Sequence, residues 1–388
     1  MTEDSSHISD TARPSDSDWA SESDESVSFL GNGSGHHNVA ESPASWEWPD
    51  WDFRLPTLPE FTAGMPQLMC PKTLRVSDLL SAILSGCATK DILEILTWVP
   101  RKITEWVSGC LMGIPTVFWV VASGNIEMVK YWIDHGADVS AIHNPSKTPL
   151  LAFAIVHPAK SEQRKAWMIG YLLSLGASPT SVPPEFYSPY CRDLPQGGPE
   201  PAMGGDGSDT HAWCAGAVVR KRFAENINLT HRYYLWRASR MKKPTKRACQ
   251  IAKLKKVEEL FRVPYFLVGQ SIACSRLMGR IVTHIAKPTV KPLVLMFAGP
   301  SGHGKTELAQ QLGTFLQLPM HIADCASIET KMGMFGPPKP YVGYDKGSPL
   351  NNFLAENSGR KCVVLLDEFE KTLAKTRETF LLPFDNGL

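Results

Sequence analysis

The chain has 388 residues, of which 43% are hydrophobic and 20% charged, with a formal net charge of +1. This composition is typical of a folded protein of two or three domains, and the net charge favours no class of partner. The nine cysteines form no C-x-x-C pair, so neither a zinc site nor a disulfide framework is indicated. No apolar run reaches the length of a membrane span, and no signal or transit peptide is visible. We therefore predict a cytoplasmic protein, with mitochondrial and nuclear locations as alternatives.

Residues 1–60 are rich in Ser, Asp and Glu and carry only two basic residues, Arg13 and Arg54. Such a segment cannot bury enough apolar surface to offset the entropy of ordering it, which predicts a disordered tail. Near its end, Ser45–Phe53 (SWEWPDWDF) places three Trp and one Phe among acids. This stretch is either a strap that packs on the following domain or a short motif that docks on a partner.

Residues 70–180 contain two self-similar segments, Thr116–Ser140 and Thr148–Thr180, and a weaker copy in Ser77–Val99. Each segment is predicted to form a turn, a helix, a second turn and a second helix. The TPLLAFA stretch that begins at Thr148 resembles the signature of ankyrin repeats, and three units are about the minimum for a stable stack. The resemblance implies an all-α repeat stack that binds a protein partner. The alternative is an internal block that packs against the next domain.

Two segments of biased composition follow. Residues 181–218 are rich in Pro and Gly, which predicts a linker. Residues 219–264 are basic, and the aromatic residues among their cations are Tyr233, Tyr234 and Trp236. A nucleic-acid surface would use this combination, but we favour a solvated helical connector whose aromatic side chains pack inward. The apolar positions predicted for one helix of this connector are Ile251, Leu254, Val257 and Leu260.

The most informative stretch is FAGPSGHGKTELAQQL. The apolar run Lys291–Gly299 predicts a buried parallel strand, and Leu308, Leu312, Phe315 and Leu316 have helical spacing after it. A strand, a G-x-x-x-x-G-K-[ST] loop and a helix in this order indicate a phosphate-binding P-loop. The residues predicted to bind nucleotide phosphates are Gly299, Pro300, Ser301, Gly302, His303, Gly304, Lys305 and Thr306. We expect Lys305 to reach the β and γ oxygens and the Thr306 hydroxyl to ligate Mg²⁺.

A second nucleotide-site element is Lys361–Lys371 (KCVVLLDEFEK). Its apolar run predicts a central strand buried on both faces, whose carboxyl end lies at the same edge of the sheet as the P-loop. Asp367 would then hold Mg²⁺ through water, and Glu368 would be the catalytic residue that polarises the attacking water. The alternative for Glu368 is a surface acid that follows a strand. We expect Glu370 and Lys371 to be solvated.

Residues 265–388 resemble the Clp/heat-shock branch of the AAA+ ATPases, in particular the second ATPase ring of the protein disaggregases. The matching stretches are FLVGQSIA, FAGPSGHGKTELAQQL, GPPKPYVGYDKG and VVLLDEFEK. The resemblance implies an α/β P-loop core, ATP and Mg²⁺ as ligands, protein clients and a homohexamer. It also implies that Leu267 and Val268 contact adenine. Tyr341 and Val342 would grip a polypeptide in the hexamer pore, although Pro340 stands where the family has Gly.

In that family a sensor strand, an arginine finger and a helical lid follow. Because the sequence stops at Leu388, we expect a partial module with weak ATP binding and little hydrolysis. The predicted fold is therefore multidomain, with a disordered N-terminus, an all-α ankyrin stack and an α/β P-loop core that is incomplete at its C-terminus. The predicted function is ATP-driven remodelling of protein clients recruited through the repeats, and we do not expect nucleic-acid or membrane partners.

Two alternatives to this function stay open. One is an ankyrin scaffold with a nucleotide-binding block that does not hydrolyse ATP. The other is a signalling NTPase, which lacks support because no N-K-x-D guanine motif is present.

Overall fold

The computed structural model describes residues 51–59, 74–159, 161–201, 209–328, 330–342 and 344–386. Most of the predicted acidic tail therefore lies outside the described residues. The described residues all belong to one unit of the chain, Trp48–Leu388. In these ranges, no helix combines the length and the apolar character that crossing a membrane requires.

Helix pairs separated by short antiparallel hairpins make up the first part of the described chain, and the two predicted helix-pair units, Thr116–Ser140 and Thr148–Thr180, are both present. The assignment of these units to the ankyrin class stays a prediction. The elements in order are α1 (Val76–Leu84), α2 (Thr89–Trp98), α3 (Pro100–Ser108), β1 (Cys110–Leu111), β2 (Ile114–Pro115), α4 (Thr116–Ala122), α5 (Ile126–Asp134), β3 (Ile142–His143), β4 (Thr148–Pro149), α6 (Leu150–Val156) and α7 (Glu162–Ser174).

Local polar contacts fix where these helices begin. The Asn125 side chain accepts the backbone N–H of Met128 and so caps α5. Thr116, the first residue of α4, is buried and donates its hydroxyl proton to the carbonyl of Trp106 at 2.7 Å. The same hydroxyl oxygen accepts the indole N–H of Trp132 at 3.2 Å. One threonine thereby joins three successive helices, and its buried polar atoms are satisfied.

The hydrophobic core lies around α4 and α6, and every residue of α6 is buried. Residues 51–53 pack into this core. The Trp51 ring stacks on Phe153 with centroids 5.6 Å apart, and the Phe53 ring meets Trp213 edge-on at 6.1 Å. For these residues the strap interpretation of the Trp-rich stretch is confirmed, whereas Trp46 and Trp48 lie outside the described residues.

The Pro/Gly-rich segment is not a free linker, so the prediction for residues 181–218 is wrong where the structure describes them. Phe186 and Tyr187 are buried in the core. The Arg232 guanidinium donates to the carbonyls of Phe186 and Pro189, both at 2.9 Å. The Arg220 guanidinium likewise donates to the Pro199 carbonyl and to Glu185, both at 2.8 Å. The segment is therefore held on the helices by a few aromatic anchors and two arginines. Composition alone does not reveal such anchors, and residues 202–208 lie outside the described part.

The basic connector is helical and packed, as predicted, but one of its predicted buried positions is wrong. It comprises α8 (Ala217–Asn226), α9 (Leu229–Arg240), α10 (Lys246–Lys255), a 3-10 turn (Glu258–Arg262) and α11 (Val263–Phe266). Tyr233 is buried and Trp236 packs against the core. Leu254, however, is 78% exposed. Lys256 adopts the left-handed conformation with φ of 55°, which ends α10 and leaves Val257 and Leu260 to be buried from a separate turn.

The last part of the chain contains two parallel strands and their flanking helices. The strands pair in register from Met320 with Val363 to Asp324 with Asp367. The elements in order are α12 (Ser271–Ala286), α13 (Lys305–Leu316), β5 (Met320–Asp324), α14 (Lys331–Phe335), α15 (Pro349–Glu356), β6 (Val363–Asp367), α16 (Ala374–Glu378) and α17 (Leu381–Asn386). The predicted helix after the P-loop is confirmed as α13, which buries Leu308, Leu312 and Phe315.

Two strand predictions in this part are wrong. Residues 291–299 are extended but belong to no sheet, and β6 is half-buried along its whole length instead of buried on both faces. In 291–299, Leu293, Leu295 and Phe297 pack on the core that includes α12 and α13, while the residues between them face solvent. This segment therefore carries the apolar side chains of a strand but has no hydrogen-bonded neighbour strand.

A buried carboxylate joins the helix pairs to the segment that leads into the P-loop region. Glu259 is buried and accepts hydrogen bonds from Lys130 of α5 and, at 3.2 Å, from Arg262. The Arg262 guanidinium lies 4.1 Å from the centroid of the Trp167 ring on α7. A buried charge is tolerated only when it is paired, and two cations here satisfy the one carboxylate.

We predict that replacing Phe53 destabilises the fold. Phe53→Ala should lower the free energy of unfolding by about 3 kcal/mol, because it removes a buried ring from a packed core. Urea unfolding followed by tryptophan fluorescence measures the change. Arg54→Ala is the matched control, since the Arg54 side chain is 78% exposed and should contribute less than about 0.5 kcal/mol. An unchanged urea midpoint for Phe53→Ala would contradict the packed strap.

We also predict that acid destabilises the helical part through two buried imidazoles. Burial lowers the pKa of His143 to about 4 and the pKa of His231 to about 4. The unfolded chain takes up these protons near pH 6.5, so stability is lost as the pH falls from about 6.5 towards 4, on the order of 3 kcal/mol for each imidazole. Urea midpoints measured across this pH range give the slope. His231→Gln should flatten the slope and the exposed His135→Gln should not; the opposite result would refute the assignment.

Candidate functional site

The loop of residues 299–306 leads into α13. Gly302 and Gly304 have φ of 77° and 74°, a left-handed conformation that glycine adopts without strain. Gly304 is the N-cap of α13, so the first backbone N–H groups of a twelve-residue helix open towards the loop. The Lys305 ammonium donates to the Pro300 carbonyl at 2.8 Å and therefore lies along the loop. This is the arrangement of backbone donors and one cation that binds phosphate groups.

Leu267 lies directly against this loop. A Cβ atom placed on Gly304 would come within 2.6 Å of Leu267 Cδ1. Leu267 is half-buried, whereas Val268 is exposed. The structure thus brings Leu267 next to the phosphate loop, and the adenine contacts of Leu267 and Val268 both stay predictions.

Two side-chain oxygen atoms that are far apart in sequence meet beside the loop. The Thr306 hydroxyl, in the first turn of α13, donates to Asp367 Oδ1 at 3.1 Å, at the carboxyl end of β6. The pair fits Mg²⁺, which prefers oxygen ligands and commonly combines one or two protein groups with water and substrate phosphates. No group of three or more His, Cys, Asp or Glu residues that could hold a metal exists within the described ranges. Thr306 and Asp367 are thus close enough to share one cation, and their role as Mg²⁺ ligands stays a prediction.

Glu368 follows Asp367 and has an unusual backbone. Its φ of 54° and ψ of 35° are left-handed, which is uncommon for a residue other than Gly, Asn or Asp. Its carboxylate Oε2 lies 2.8 Å from the Lys371 ammonium. The hydrogen bond and the charge of Glu368 raise the pKa of Lys371. Lys371 is solvent-exposed, as expected, with 57% of its side chain accessible, but it also pairs with Glu368. The E-x-x-K spacing, three residues apart on one turn, was the signal for the pair.

Sequence reasoning also missed Asp324, the last residue of β5. The parallel register sets it level with Asp367 on the neighbouring strand. Its carboxylate accepts the Ala326 N–H at 2.9 Å and the Ser327 hydroxyl at 3.0 Å, and these bonds lower the pKa of Asp324. The signal was a short strand pattern ending in Asp, which parallel pairing carries to the same edge as the P-loop.

The two predicted pore-loop residues lie on an exposed loop between α14 and α15. Tyr341 is 57% exposed and Val342 is fully exposed. The Tyr341 N–H donates to the Pro338 carbonyl at 3.0 Å, a local turn. Both side chains face solvent and are free to meet another molecule, and their role in gripping a polypeptide stays a prediction.

The part of the chain that carries this site is similar to known proteins. Residues 291–387 match the family model described as AAA domain (Cdc48 subfamily). The chain is 32% identical over 129 residues to the chaperone protein ClpB of Streptomyces albus G, a match that covers 31% of this chain and 15% of the relative. It is 35% identical over 95 residues to the ClpA homolog protein of Fuscovulum blasticum, covering 24% of this chain and 12% of the relative.

A third match, to the chaperone protein ClpB 1 of Thermosynechococcus vestitus, is 31% identical over 130 residues and covers 31% of this chain and 15% of the relative. The chain thus spans less than a sixth of the length of these relatives. Within that span the matches support an AAA+ ATPase module of the Clp type. The loop of residues 299–306 and Asp367 lie within the residues that are similar to an AAA domain.

We predict that Gly304→Ala impairs nucleotide binding. A methyl group at a left-handed position is strained, and this one would also collide with Leu267 Cδ1. We expect at least about tenfold weaker binding of a fluorescent ATP analogue with Mg²⁺, measured by titration, which corresponds to about 1.4 kcal/mol. Gly279→Ala in α12 is the control, because a Cβ there meets nothing within 4 Å. Equal affinities of the two variants would rule out this loop as the phosphate site.

Proposed function

We propose that this protein binds ATP with Mg²⁺, hydrolyses it, and uses the turnover to remodel protein clients. The observation that carries the proposal is the hydrogen bond between Thr306 and Asp367. It joins the phosphate-binding loop to the strand that carries the acidic pair, and hydrolysis requires these two elements to act on one γ-phosphate.

The residues divide the work of hydrolysis among them. The backbone N–H groups at the start of α13 and the Lys305 ammonium bind and orient the phosphates, with Lys305 leaving the Pro300 carbonyl when a phosphate oxygen takes its place. Thr306 and Asp367 would hold Mg²⁺, which would offset the negative charge that develops on the phosphate oxygens. Leu267 supplies an apolar wall beside the loop for the base of the nucleotide.

Glu368 is the proposed catalytic residue. Its carboxylate follows Asp367 directly, at the carboxyl end of β6. In the reaction a water oxygen forms a bond to the γ-phosphorus, the bond from that phosphorus to the bridging oxygen of ADP breaks, and Glu368 accepts a water proton. The products are ADP and inorganic phosphate. A positioned general base of this kind contributes about 10²–10⁴-fold to the rate.

The chaperone part of the proposal rests on three supports. Two of the relatives described above are named chaperone proteins. The exposed Tyr341 and Val342 give the ATPase part a surface that could hold a polypeptide. The hairpins of the helical part expose Met112 and Ile142, apolar positions at which an ankyrin-type stack could bind a client or another protein partner. A homohexamer, in which pore loops from several copies act together, belongs to the same proposal.

One observation favours a second candidate function, a scaffold that binds nucleotide without hydrolysing it. Residues 291–299 lack a strand neighbour, and β6 is half-buried. A loosely covered sheet would leave the distance between Glu368 and the γ-phosphate poorly defined, and a rate depends steeply on such distances. Turnover separates the two candidates.

We predict that the purified protein hydrolyses ATP slowly and that Glu368→Gln reduces this turnover by at least about 100-fold while Mg²⁺-ATP binding persists. Phosphate release measures the first quantity and fluorescent-nucleotide titration the second. Glu370→Gln is the matched control, because Glu370 is an exposed acid two residues away. Lys305→Ala should abolish binding and leave the helical circular dichroism intact. Nucleotide binding without turnover in the wild-type protein would favour the scaffold.

A further inference from the structure

The turn that follows β6 carries a cation aimed back at the proposed catalytic carboxylate. Lys371 Nζ lies 2.8 Å from Glu368 Oε2, three residues away on the same turn. The Lys371 side chain is 57% exposed and the Glu368 side chain 46% exposed. A surface ion pair of this kind contributes little to stability, about 0–1 kcal/mol. The pair therefore matters for where it holds the Glu368 carboxylate and not for the stability of the fold.

The turn holds the backbone of both residues. The Lys371 N–H donates to the Glu368 carbonyl at 2.9 Å, and the Thr372 hydroxyl donates to the Phe369 carbonyl. Phe369 anchors the turn, since its ring packs edge-on against Phe380 with centroids 5.5 Å apart. The Lys371 side chain therefore extends from a backbone that the turn holds in place, three residues from Glu368.

Glu368 needs such a support. Its backbone is left-handed and its long side chain is 46% exposed, so without a partner the carboxylate would have several rotamers open to it. A general base acts only when one carboxylate oxygen stays within about 3 Å of the water it deprotonates. The ion pair holds Oε2, which leaves Oε1 for the water proton.

We propose that Lys371 is a positioning residue for hydrolysis: by holding Oε2, it directs Oε1 of Glu368 towards the attacking water. This proposal rests on the proposed ATPase function. Lys371 does not contact the nucleotide in this account. The proton passes from water to Oε1 of Glu368, and the Lys371 ammonium stays protonated throughout.

The test compares Lys371→Met with Lys371→Arg in steady-state ATP hydrolysis. Met keeps an unbranched side chain, one heavy atom shorter, and removes the charge, so we expect kcat to fall about tenfold, with KM for ATP within about twofold. Arg keeps a cation and should restore most of kcat. Lys375→Met is the matched control, because Lys375 is an exposed lysine on α16, the next helix, and should leave both constants unchanged.

A double variant separates positioning from a general structural effect. In the Glu368→Gln background the carboxylate is gone, so adding Lys371→Met should cost no further activity. An additional loss in the double variant, or a kcat unchanged or raised in Lys371→Met alone, would overturn the role of Lys371 while the ATPase function stands. A wild-type protein that binds ATP without turnover would overturn the proposed function itself, and the role of Lys371 with it.

Discussion

The hydrogen bond between Thr306 and Asp367 is the contact on which the proposed site depends. It closes a gap of 61 residues in sequence and fixes the start of α13 against the end of β6. Both partners are short side chains with little freedom to adapt, so the 3.1 Å distance requires the helix and the strand themselves to be correctly placed. The apolar face of α13 provides that placement by packing against α12 and the extended segment before the loop. The packing of α13 thus determines where the Thr306 hydroxyl lies, and its contact with Asp367 is a consequence of that packing.

The helix pairs and the P-loop region are joined by specific contacts. Glu259 is held by cations from both sides of this junction, and residues 263–266 connect it within a few positions to Leu267, which lies on the phosphate loop. The junction is therefore polar where it is buried and close in sequence to the nucleotide loop. A shift of α5 would move Lys130, which pairs with Glu259. A shift of α7 would move Trp167, whose ring lies against Arg262, the other cation that pairs with Glu259.

The sequence predicted best those features that depend on local pattern. Helical spacing located α13, and the segments after Thr116 and Thr148 folded into the expected helix pairs. Features that depend on the partners of a segment could not be predicted in the same way. Residues 291–299 have the composition of a strand, but pairing needs a neighbour that composition does not specify. Leu254 had helical spacing, yet the left-handed Lys256 ended the helix first. The burial of Phe186 could not be read from its proline-rich surroundings, because the partners of its ring, Phe223 and Arg220, lie far away in the sequence.

The strap of residues 51–53 has a consequence for the order in which the molecule can be made. During synthesis Trp51 and Phe53 leave the ribosome long before the residues that bury them. Phe153 comes about a hundred residues after Trp51, and Trp213 lies 160 residues after Phe53. At about 5–20 residues per second, the aromatic side chains wait on the order of ten seconds for their site. Throughout that interval the Trp51 and Phe53 rings stay exposed on the nascent chain, so these two residues are among the last of the helical part to be buried.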